Sequence, residues 1–424
     1  MIQFIFKGIW RDRQRSVLPA IVVAMGVMLT VLFQSWLSGI FGESIEFNAN
    51  FSTGHVKIMS RAYAADADQI PNDLALMGTD TLMRELHQNY PQFDWSPRIR
   101  FSGLIDVPDS LRETRVQGPA TGLGIDMLSG DSSEIMRMNI ARALKRGRLP
   151  SHPGEILISD EFAHNLSVHP GDTVTLITTT MNGSLSMYNF RIAGTVAFGT
   201  EAMDRSSIIA DIGDVRSALD MEDATGEIVG FLKTGQYDEK VILPVVKQFN
   251  AEYSHSNDQY SPVMESLRGQ NNMATMLDYS AKLEFMLIII FVLAMSLVLW
   301  NAGLLGGLRR YGEFGLRLAL GEEKRHIYLS MIWESVFIGI IGSAAGTLIG
   351  LLLAWQLQHH GLNVGDMMKN AAMMMPSILR ARISPVTWIV GFVPGLVSTV
   401  AGAMLAGIGI YKRRTTQLFK ELEI

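Results

Sequence analysis

The sequence predicts an α-helical membrane protein with four transmembrane helices and a mixed α/β extracytoplasmic domain inserted between helices 1 and 2. The chain of 424 residues is 48% hydrophobic but only 18% charged, whereas soluble proteins usually carry about a quarter charged residues. The apolar residues collect in one run near the N-terminus and three runs in the last third. This clustering is typical of a membrane protein with a soluble insertion.

Four apolar segments are long enough to cross the hydrocarbon core of a membrane, which needs about 20 helical residues. The first, 17–41, is longer than the apolar part of a signal peptide, so we interpret it as a retained helix. The other three are 284–308, 327–357 and 386–411. We expect regular helix in each segment because lipid cannot satisfy unpaired backbone amides.

Basic residues predict how these helices are oriented. Short segments rich in Lys and Arg stay in the cytoplasm. Three segments have this character, and we expect 1–16 to be a cytoplasmic interfacial helix, 309–326 a cytoplasmic helix and 412–424 a cytoplasmic tail. Both termini are then cytoplasmic, and the loop 358–385 lies on the opposite side of the membrane.

The segment 42–281 is then the extracytoplasmic domain. Residues 43–281 contain 19 Lys and Arg against 32 Asp and Glu, a net charge of −13, although the whole chain carries only −5. This acidity favours solubility and is also compatible with a basic partner. The chain has no cysteine, so the domain must fold on its own core without disulfides.

Strand and helix patterns within this domain predict two lobes. The first lobe would contain residues 50–110 and the returning segment 228–275. The second, richer in strands, would be 115–227, with Gly118–Gly124 as a boundary. Within it, two β-rich runs on either side of Asn182-Gly183 predict a hairpin, since Asn-Gly is a strong turn signal.

The cytoplasmic segment carries the most informative motif. Residues 309–324 read Arg-Arg-Tyr-Gly-Glu-Phe-Gly-Leu-Arg-Leu-Ala-Leu-Gly-Glu-Glu-Lys. This run resembles the Arg-Arg-x-x-Glu-Ile-Gly-x-x-x-Ala-Leu-Gly-Ala signature of ABC permeases of the MacB/FtsX-like group. The segments 147–159 and 170–174 resemble parts of the periplasmic insertion of the same permeases. In its layout of four helices and one large domain, the chain is closest to the LolC/LolE lipoprotein-releasing permeases.

The resemblance implies that 309–326 is a coupling helix that docks into a separate ATPase subunit. The alternative is an ordinary basic amphipathic loop that only fixes the topology. The residues assigned to ATPase coupling are Arg309, Arg310, Glu313, Phe314, Gly315, Arg317, Ala319, Leu320 and Gly321.

No catalytic motif is visible in the chain. The phosphate-binding pattern Gly-x-x-x-x-Gly-Lys-Ser/Thr, the zinc pattern His-Glu-x-x-His and the nucleophile pattern Gly-x-Ser-x-Gly do not occur. We therefore expect a non-catalytic subunit that binds no cofactor or metal, with ATP and Mg²⁺ used by the partner ATPase. His359 and His360 are adjacent on a predicted helix, so their side chains point apart.

The resemblance also implies a location and partners. The location is the bacterial inner membrane, and the partners are two copies of a cytoplasmic ABC ATPase, a second permease subunit in a homo- or heterodimer, and membrane lipids. Lipoprotein cargo and a periplasmic carrier are further candidates, and no nucleic acid is expected. The first functional hypothesis is lipoprotein release toward the outer membrane. The alternatives are MacB-like drug or peptide efflux, or FtsX-like activation of an envelope enzyme without transport.

Two further sites follow from the resemblance. Lipid-like cargo would enter sideways between the first and second helices of paired subunits, past Met25, Met28, Phe33, Phe285, Met286 and Ile289. The hairpin tip is a candidate contact for a periplasmic partner through Met181, Asn182, Gly183 and Ser184. In LolC-type permeases a longer hairpin containing proline captures the carrier, and this tip has no proline.

Two features leave alternatives open. Small residues form a ridge on the third helix, which favours close helix packing either within the chain or across a permease dimer. They are Gly339, Gly342, Gly346 and Gly350. Five methionines crowd residues 367–375, where an adaptable apolar surface, cargo contact or Cu(I) binding are the options.

Overall fold

The computed structural model describes residues 13–109, 111, 113–130, 132–253, 258–270, 273–308, 311–363 and 378–412. Residues 1–12 of the predicted interfacial helix, Arg309 and Arg310, the methionine-rich segment and the tail from 413 onward lie outside these residues. The chain divides into a helical unit, containing Met1–Gly42, Asp278–Leu362 and Leu379–Ile424, and an α/β unit, containing Glu43–Leu277 and Asn363–Ile378.

Four helical segments of the described chain are long and apolar enough to cross a membrane. The first long helix is Arg13–Asn48, the second is Met273–Leu308, the third is Lys324–His360, and the fourth ends in the α-helix Thr399–Lys412. The fold-class prediction is thus confirmed at the level of four apolar helices and a large mixed α/β domain, which follows the first helix in the sequence.

The fourth segment is not the regular helix predicted over 386–411. It starts with a 3₁₀ turn, Pro385–Trp388, continues as a π-helical stretch, Val393–Ser398, and becomes α-helical only at Thr399. Pro394 lies inside the irregular part and has no N–H to donate to the preceding turn. This proline is compatible with the π-helical stretch, at whose start it lies, but the 3₁₀ turn lies upstream of it.

The segment 309–326 is also not one helix. A short α-helix, Tyr311–Ala319, hereafter the linker helix, is followed by a turn, and the third long helix begins at Lys324. Gly321 has a φ of +90°, a conformation that glycine adopts without strain and that commonly ends helices. The N–H of Gly321 donates to the carbonyl of Leu318, and that of Glu322 to the carbonyl of Arg317.

The glycine ridge packs within the chain. A Cβ atom at Gly342 would lie 2.7 Å from Val23, and one at Gly350 would lie 2.9 Å from Val31. Gly346 sits equally close to Ala24 and Val27 of the first long helix. Gly339 faces Leu396 instead, so the ridge lets the third long helix approach both the first and the fourth segments.

Fourteen strands are present in the described residues. Their bounds are β1 Val56–Ser60, β2 Leu76–Met77, β3 Phe93–Pro108, β4 Thr114–Ile125, β5 Leu144–Gly147, β6 Glu155–Ser159, β7 Thr173–Thr179, β8 Leu185–Val196, β9 Ser207–Asp211, β10 Ala224–Thr225, β11 Glu227–Leu232, β12 Pro262–Ser266, β13 Leu362–Asn363 and β14 Ile378–Leu379. Ten of them form one sheet in the order β12-β1-β11-β3-β4-β9-β6-β8-β5, with β7 pairing β3 and β8.

Short helices cover this sheet. They are Arg61–Ala65, Thr79–Asn89, Glu134–Arg137, Ile140–Ala143, Asp160–Asn165, Glu201–Asp204, Ile212–Leu219 and Glu239–Glu252.

The strand β3 is shared between two cores of the α/β unit. Its first part contributes Phe93 and Trp95 to a core that also contains Ile58 and Phe249, whereas its second part contributes residues such as Phe101 to the larger core. The predicted boundary near residue 110 is therefore misplaced. Gly118–Gly124 is no boundary either, because it lies within β4.

Candidate functional site

One face of the linker helix is buried in the helical unit. Tyr311 and Phe314 are nearly inaccessible and pack with Ile327 and Met331 of the third long helix. The hydroxyl of Tyr311 donates a hydrogen bond of 2.6 Å to the carbonyl of Ala406 in the fourth segment. The linker helix is therefore fixed to two of the long helices through side chains spaced three residues apart.

The opposite face of the linker helix is exposed and partly apolar. Leu316 is 55% exposed and Leu320 is 80% exposed. Glu313 and Arg317 lie on the same face, since positions 313, 316, 317 and 320 follow the spacing of one helical face. Two uncovered leucines that alternate with two charged residues make a small surface suited to a protein partner.

A polar group closes the C-terminal end of the linker helix. Glu322 accepts from His326 Nδ1 at 2.7 Å and lies 3.8 Å from Arg317 Nε. These residues are solvent-exposed or half-buried, and exposed ion pairs of this kind add little to stability. They orient Arg317 along the exposed face rather than anchoring the helix.

The seven predicted coupling residues that the structure describes do not form one surface. Glu313, Arg317 and Leu320 share the exposed face, whereas Phe314 and Gly315 lie on the buried face. Ala319 is exposed next to this face, and Gly321 ends the helix. Arg309 and Arg310 lie outside the described residues. Leu316 was not among the predicted residues but also lies on the exposed face. It is three residues from Glu313 and four from Leu320, and this helical spacing could have identified it from the sequence.

The predicted cargo-entry residues lie on the first two long helices, mostly on exposed surface. Met25 is exposed on the first helix, and Phe285, Met286 and Ile289 are exposed on the second. Met28 is half-buried. Phe33 is different, because its ring stacks on Phe291 with centroids 4.2 Å apart, so it joins the two helices rather than lining an open gap.

A part-buried polar network about a third of the way along the second long helix was not predicted from the sequence. It links Gln34 and Ser38 of the first long helix to Glu284, and to Ser384 and Thr387 at the start of the fourth segment. Gln34 was recognised only as a polar residue in an apolar segment. Its partners lie about 350 positions away in the chain, which no local pattern reveals.

The tip of the predicted hairpin is folded against its own unit. β7 pairs with β8 in antiparallel register as predicted, with Thr179 opposite Leu185. The backbone N–H of Met181 donates to the carbonyl of Leu219, and the side-chain amide of Asn182 donates to Asp220. Only the side of the tip formed by Asn182, Gly183 and Ser184 is exposed, so the tip offers a polar, supported surface rather than a projecting arm.

Two further hydrogen bonds, both accepted by Asp214, lie close to the hairpin. The hydroxyl of Tyr188 on β8 donates to Asp214 at 3.3 Å, and the N–H of Gly154 donates to the same carboxylate at 2.7 Å. Burial raises the pKa of Asp214 because a charged carboxylate loses hydration there.

Comparison with known families identifies the helical unit. Residues 285–414, which include the linker helix and the second to fourth long segments, match the FtsX-like permease C-terminal family. The chain carries an FtsX-like permease domain. The resemblance to ABC permeases of the MacB/FtsX-like group is thereby confirmed, together with its relationship to LolC.

Named relatives of this permease agree. It is 22% identical over 96% of both chains to an uncharacterized ABC transporter permease of Methanocaldococcus jannaschii. It is also 22% identical to the lipoprotein-releasing system transmembrane protein LolC of Xylella fastidiosa, over 64% of this chain and 67% of that one. Among solved structures, the periplasmic region of MacB from Actinobacillus actinomycetemcomitans is similar at 14% identity and a TM-score of 0.35, over 55% of this chain and 94% of that one.

Proposed function

We propose that this permease receives work from a separate ABC ATPase through the exposed face of the linker helix. The observation that carries the proposal is the division of this helix into an anchored face and an uncovered face. The anchored face contacts the third long helix and the fourth segment through Phe314 and Tyr311. A displacement of the linker helix by the ATPase is therefore passed directly to those two segments.

The uncovered face has the chemistry of a docking surface. Covering one exposed leucine contributes roughly 1.5–3 kcal/mol, and Leu316 and Leu320 are both available for this. Glu313 and Arg317 bring opposite charges to the same face, which would orient a partner rather than add much affinity. The ATPase would bind in two copies, one for each permease of a homo- or heterodimer, and would use ATP and Mg²⁺ itself.

For the transported molecule we propose a lipoprotein, moved from the bacterial inner membrane toward the outer membrane. Two relatives are named LolC of lipoprotein-releasing systems. In addition, Phe285, Met286 and Ile289 give the second long helix an exposed apolar surface, and Met25 is exposed on the first. Such a surface suits acyl chains that arrive sideways from the membrane. With both termini in the cytoplasm, the α/β unit would face a periplasmic carrier.

The coupling proposal is tested by charge on the exposed face. The double variant Leu316→Asp, Leu320→Asp should lose co-purification with the ATPase and most cargo-dependent ATP hydrolysis, because both carboxylates would need to be desolvated on docking. Leu111→Asp is a matched control, since Leu111 is a 78% exposed leucine of the α/β unit.

If the double variant bound the ATPase and supported ATP hydrolysis as well as the control, coupling through this face would be wrong. Gly315 is a poor test position, because it lies on the buried face and any side chain there would disturb packing instead of docking.

A further inference from the structure

Five side chains of the helical unit form a directed chain of hydrogen bonds. Thr387 Oγ1 donates to Gln34 Oε1 at 2.5 Å, and Gln34 Nε2 donates to Ser38 Oγ at 3.2 Å. Ser38 Oγ in turn donates to Glu284 Oε1. A branch runs from Gln34 Nε2 to Ser384 Oγ, also at 3.2 Å. The chain therefore begins at a hydroxyl and ends at a carboxylate.

The chemistry of each group fixes this direction. Gln34 uses its amide oxygen and both amide hydrogens, and it is only 2% exposed. Ser38 accepts from Gln34, so its own hydrogen needs an acceptor, which Glu284 supplies. Buried polar groups that are all satisfied in this way favour a single arrangement of the helices that carry them.

The network lies beside the residues through which we propose that cargo enters. Ser38 and Gln34 follow Phe33 on the first long helix, and Glu284 directly precedes Phe285 on the second. At this level two side-chain contacts join the helices, the Phe33–Phe291 stack and the Ser38–Glu284 bond. Farther along, Met295 and Leu299 of the second helix pack against Gly26 of the first.

We propose that Gln34, Ser38, Glu284, Ser384 and Thr387 form a polar clasp that keeps the first and second long helices of one chain closed, and that the Ser38–Glu284 bond breaks when lipid-like cargo enters between the helices of paired subunits. This inference rests on the proposed function for the route of the cargo. Of the bonds in the clasp, Ser38–Glu284 alone joins the first helix to the second. Of the remaining bonds, Gln34–Ser38 lies within the first helix. The other two join the first helix to Ser384 and Thr387, which would move with it.

The absence of cysteine from the chain makes a direct test possible. The full-length permease carrying Phe33→Cys and Phe291→Cys is incorporated into lipid nanodiscs without ATPase or cargo. A short bifunctional methanethiosulfonate reagent then cross-links the two helices when they are closed, and peptide mass spectrometry measures the rate. The same cysteine pair is used in every variant.

Removing the bond between the helices should open them. Ser38→Ala and Glu284→Ala should each lower the cross-linking rate about tenfold, as expected for loss of a hydrogen bond to a charged group. Glu284→Gln should lower it less, about threefold, because an amide oxygen still accepts from Ser38 but without the charge. Ser38→Thr, which keeps the hydroxyl, should restore the original rate.

Ser35→Ala is the matched control. Ser35 is a buried serine of the same helix whose hydroxyl donates to the carbonyl of Val31 within that helix, so its loss should leave cross-linking unchanged. If Ser38→Ala and Glu284→Ala cross-linked as fast as Ser35→Ala, the clasp proposal would be wrong. If the alanine variants do not accumulate in membranes, Glu284→Asp replaces them, because its carboxylate is one methylene short of reaching Ser38. Its cross-linking rate should also fall about tenfold. A rate equal to that of Ser35→Ala would contradict the clasp.

This readout separates the two proposals. Cross-linking requires neither the ATPase nor cargo, so a failed clasp leaves the linker-helix experiment unaffected. Normal ATPase binding by the Leu316→Asp, Leu320→Asp variant would end the coupling proposal while leaving the cross-linking result in place.

Discussion

The second and third long helices are nearly equal in length, at 36 and 37 residues, and both are strongly apolar. Their surroundings differ sharply. Only 6% of the most apolar stretch of 18 residues in the second helix is buried within the chain, against 39% for the third. Hydropathy identifies both as membrane-crossing candidates but does not tell which of them faces lipid or another subunit.

Side-chain size explains the difference. The third helix presents Gly342, Gly346 and Gly350 to the first, and these glycines let the two backbones approach closely. The second helix makes close approaches toward its C-terminal end, where Gly303 faces the Thr399 carbonyl, Gly307 faces Ala406 and Leu299 packs against Gly26 of the first helix. Large apolar residues elsewhere on this helix, such as Leu293 and Leu297, are exposed and remain available to lipid or a second permease.

Among substitutions that test this difference in packing, one that fills the glycine ridge should have the largest effect on stability. Gly346→Leu places a side chain against the Ala24 carbonyl and Val27, and overpacking of this kind costs about 1–3 kcal/mol or more. We expect a lowered unfolding temperature in detergent and poor accumulation in membranes. Leu348→Ala, at a residue of the same helix that is 62% exposed, serves as the control. Equal stability of the two variants would show that the ridge is not a packing surface.

A smaller effect is expected where the linker helix is anchored. Tyr311→Phe removes the 2.6 Å bond to the Ala406 carbonyl and keeps the ring in its cluster. Stability should fall by about 1 kcal/mol, typical of the loss of one buried hydrogen bond. ATPase binding should persist, while cargo-stimulated hydrolysis falls. Unchanged stimulation would mean that work does not pass from the linker helix to the fourth segment through this bond.

The smallest effect on stability is expected on the second helix. Leu293 and Leu297 are 64% and 62% exposed, so the double variant Leu293→Ala, Leu297→Ala should change the free energy of unfolding in detergent by less than about 0.5 kcal/mol. Thermal unfolding measures this directly. A loss comparable to that of Gly346→Leu would show that this surface is covered within the chain and would remove the contrast between the two helices.

Patterns in the sequence identify elements whose causes are local. The apolar runs mark the four segments, and Asn182-Gly183 marks the hairpin, because each depends on neighbouring residues alone. The same holds for the glycine ridge, although the sequence left open whether it packs within the chain. That question depends on Val23, Val27 and Val31, more than 300 positions away.

The remaining features depend on contacts distant in sequence. The clasp needs Gln34, Glu284 and Thr387 at one place, and the division of the linker helix into two faces needs the position of Met331 and Ala406. The motif over 309–324 indicated a coupling segment but not that Phe314 turns inward while Leu316 and Leu320 remain exposed.

The most direct test of the account is a single-site cross-link from the linker helix. Leu320→Cys would be the only thiol of the permease, and a benzophenone attached to it would be activated by light in the assembled complex with the ATPase. We predict a covalent adduct with the ATPase, and none from Leu329→Cys, a less exposed position on the third long helix. A complex that assembles intact but gives no adduct from position 320 would contradict the central claim.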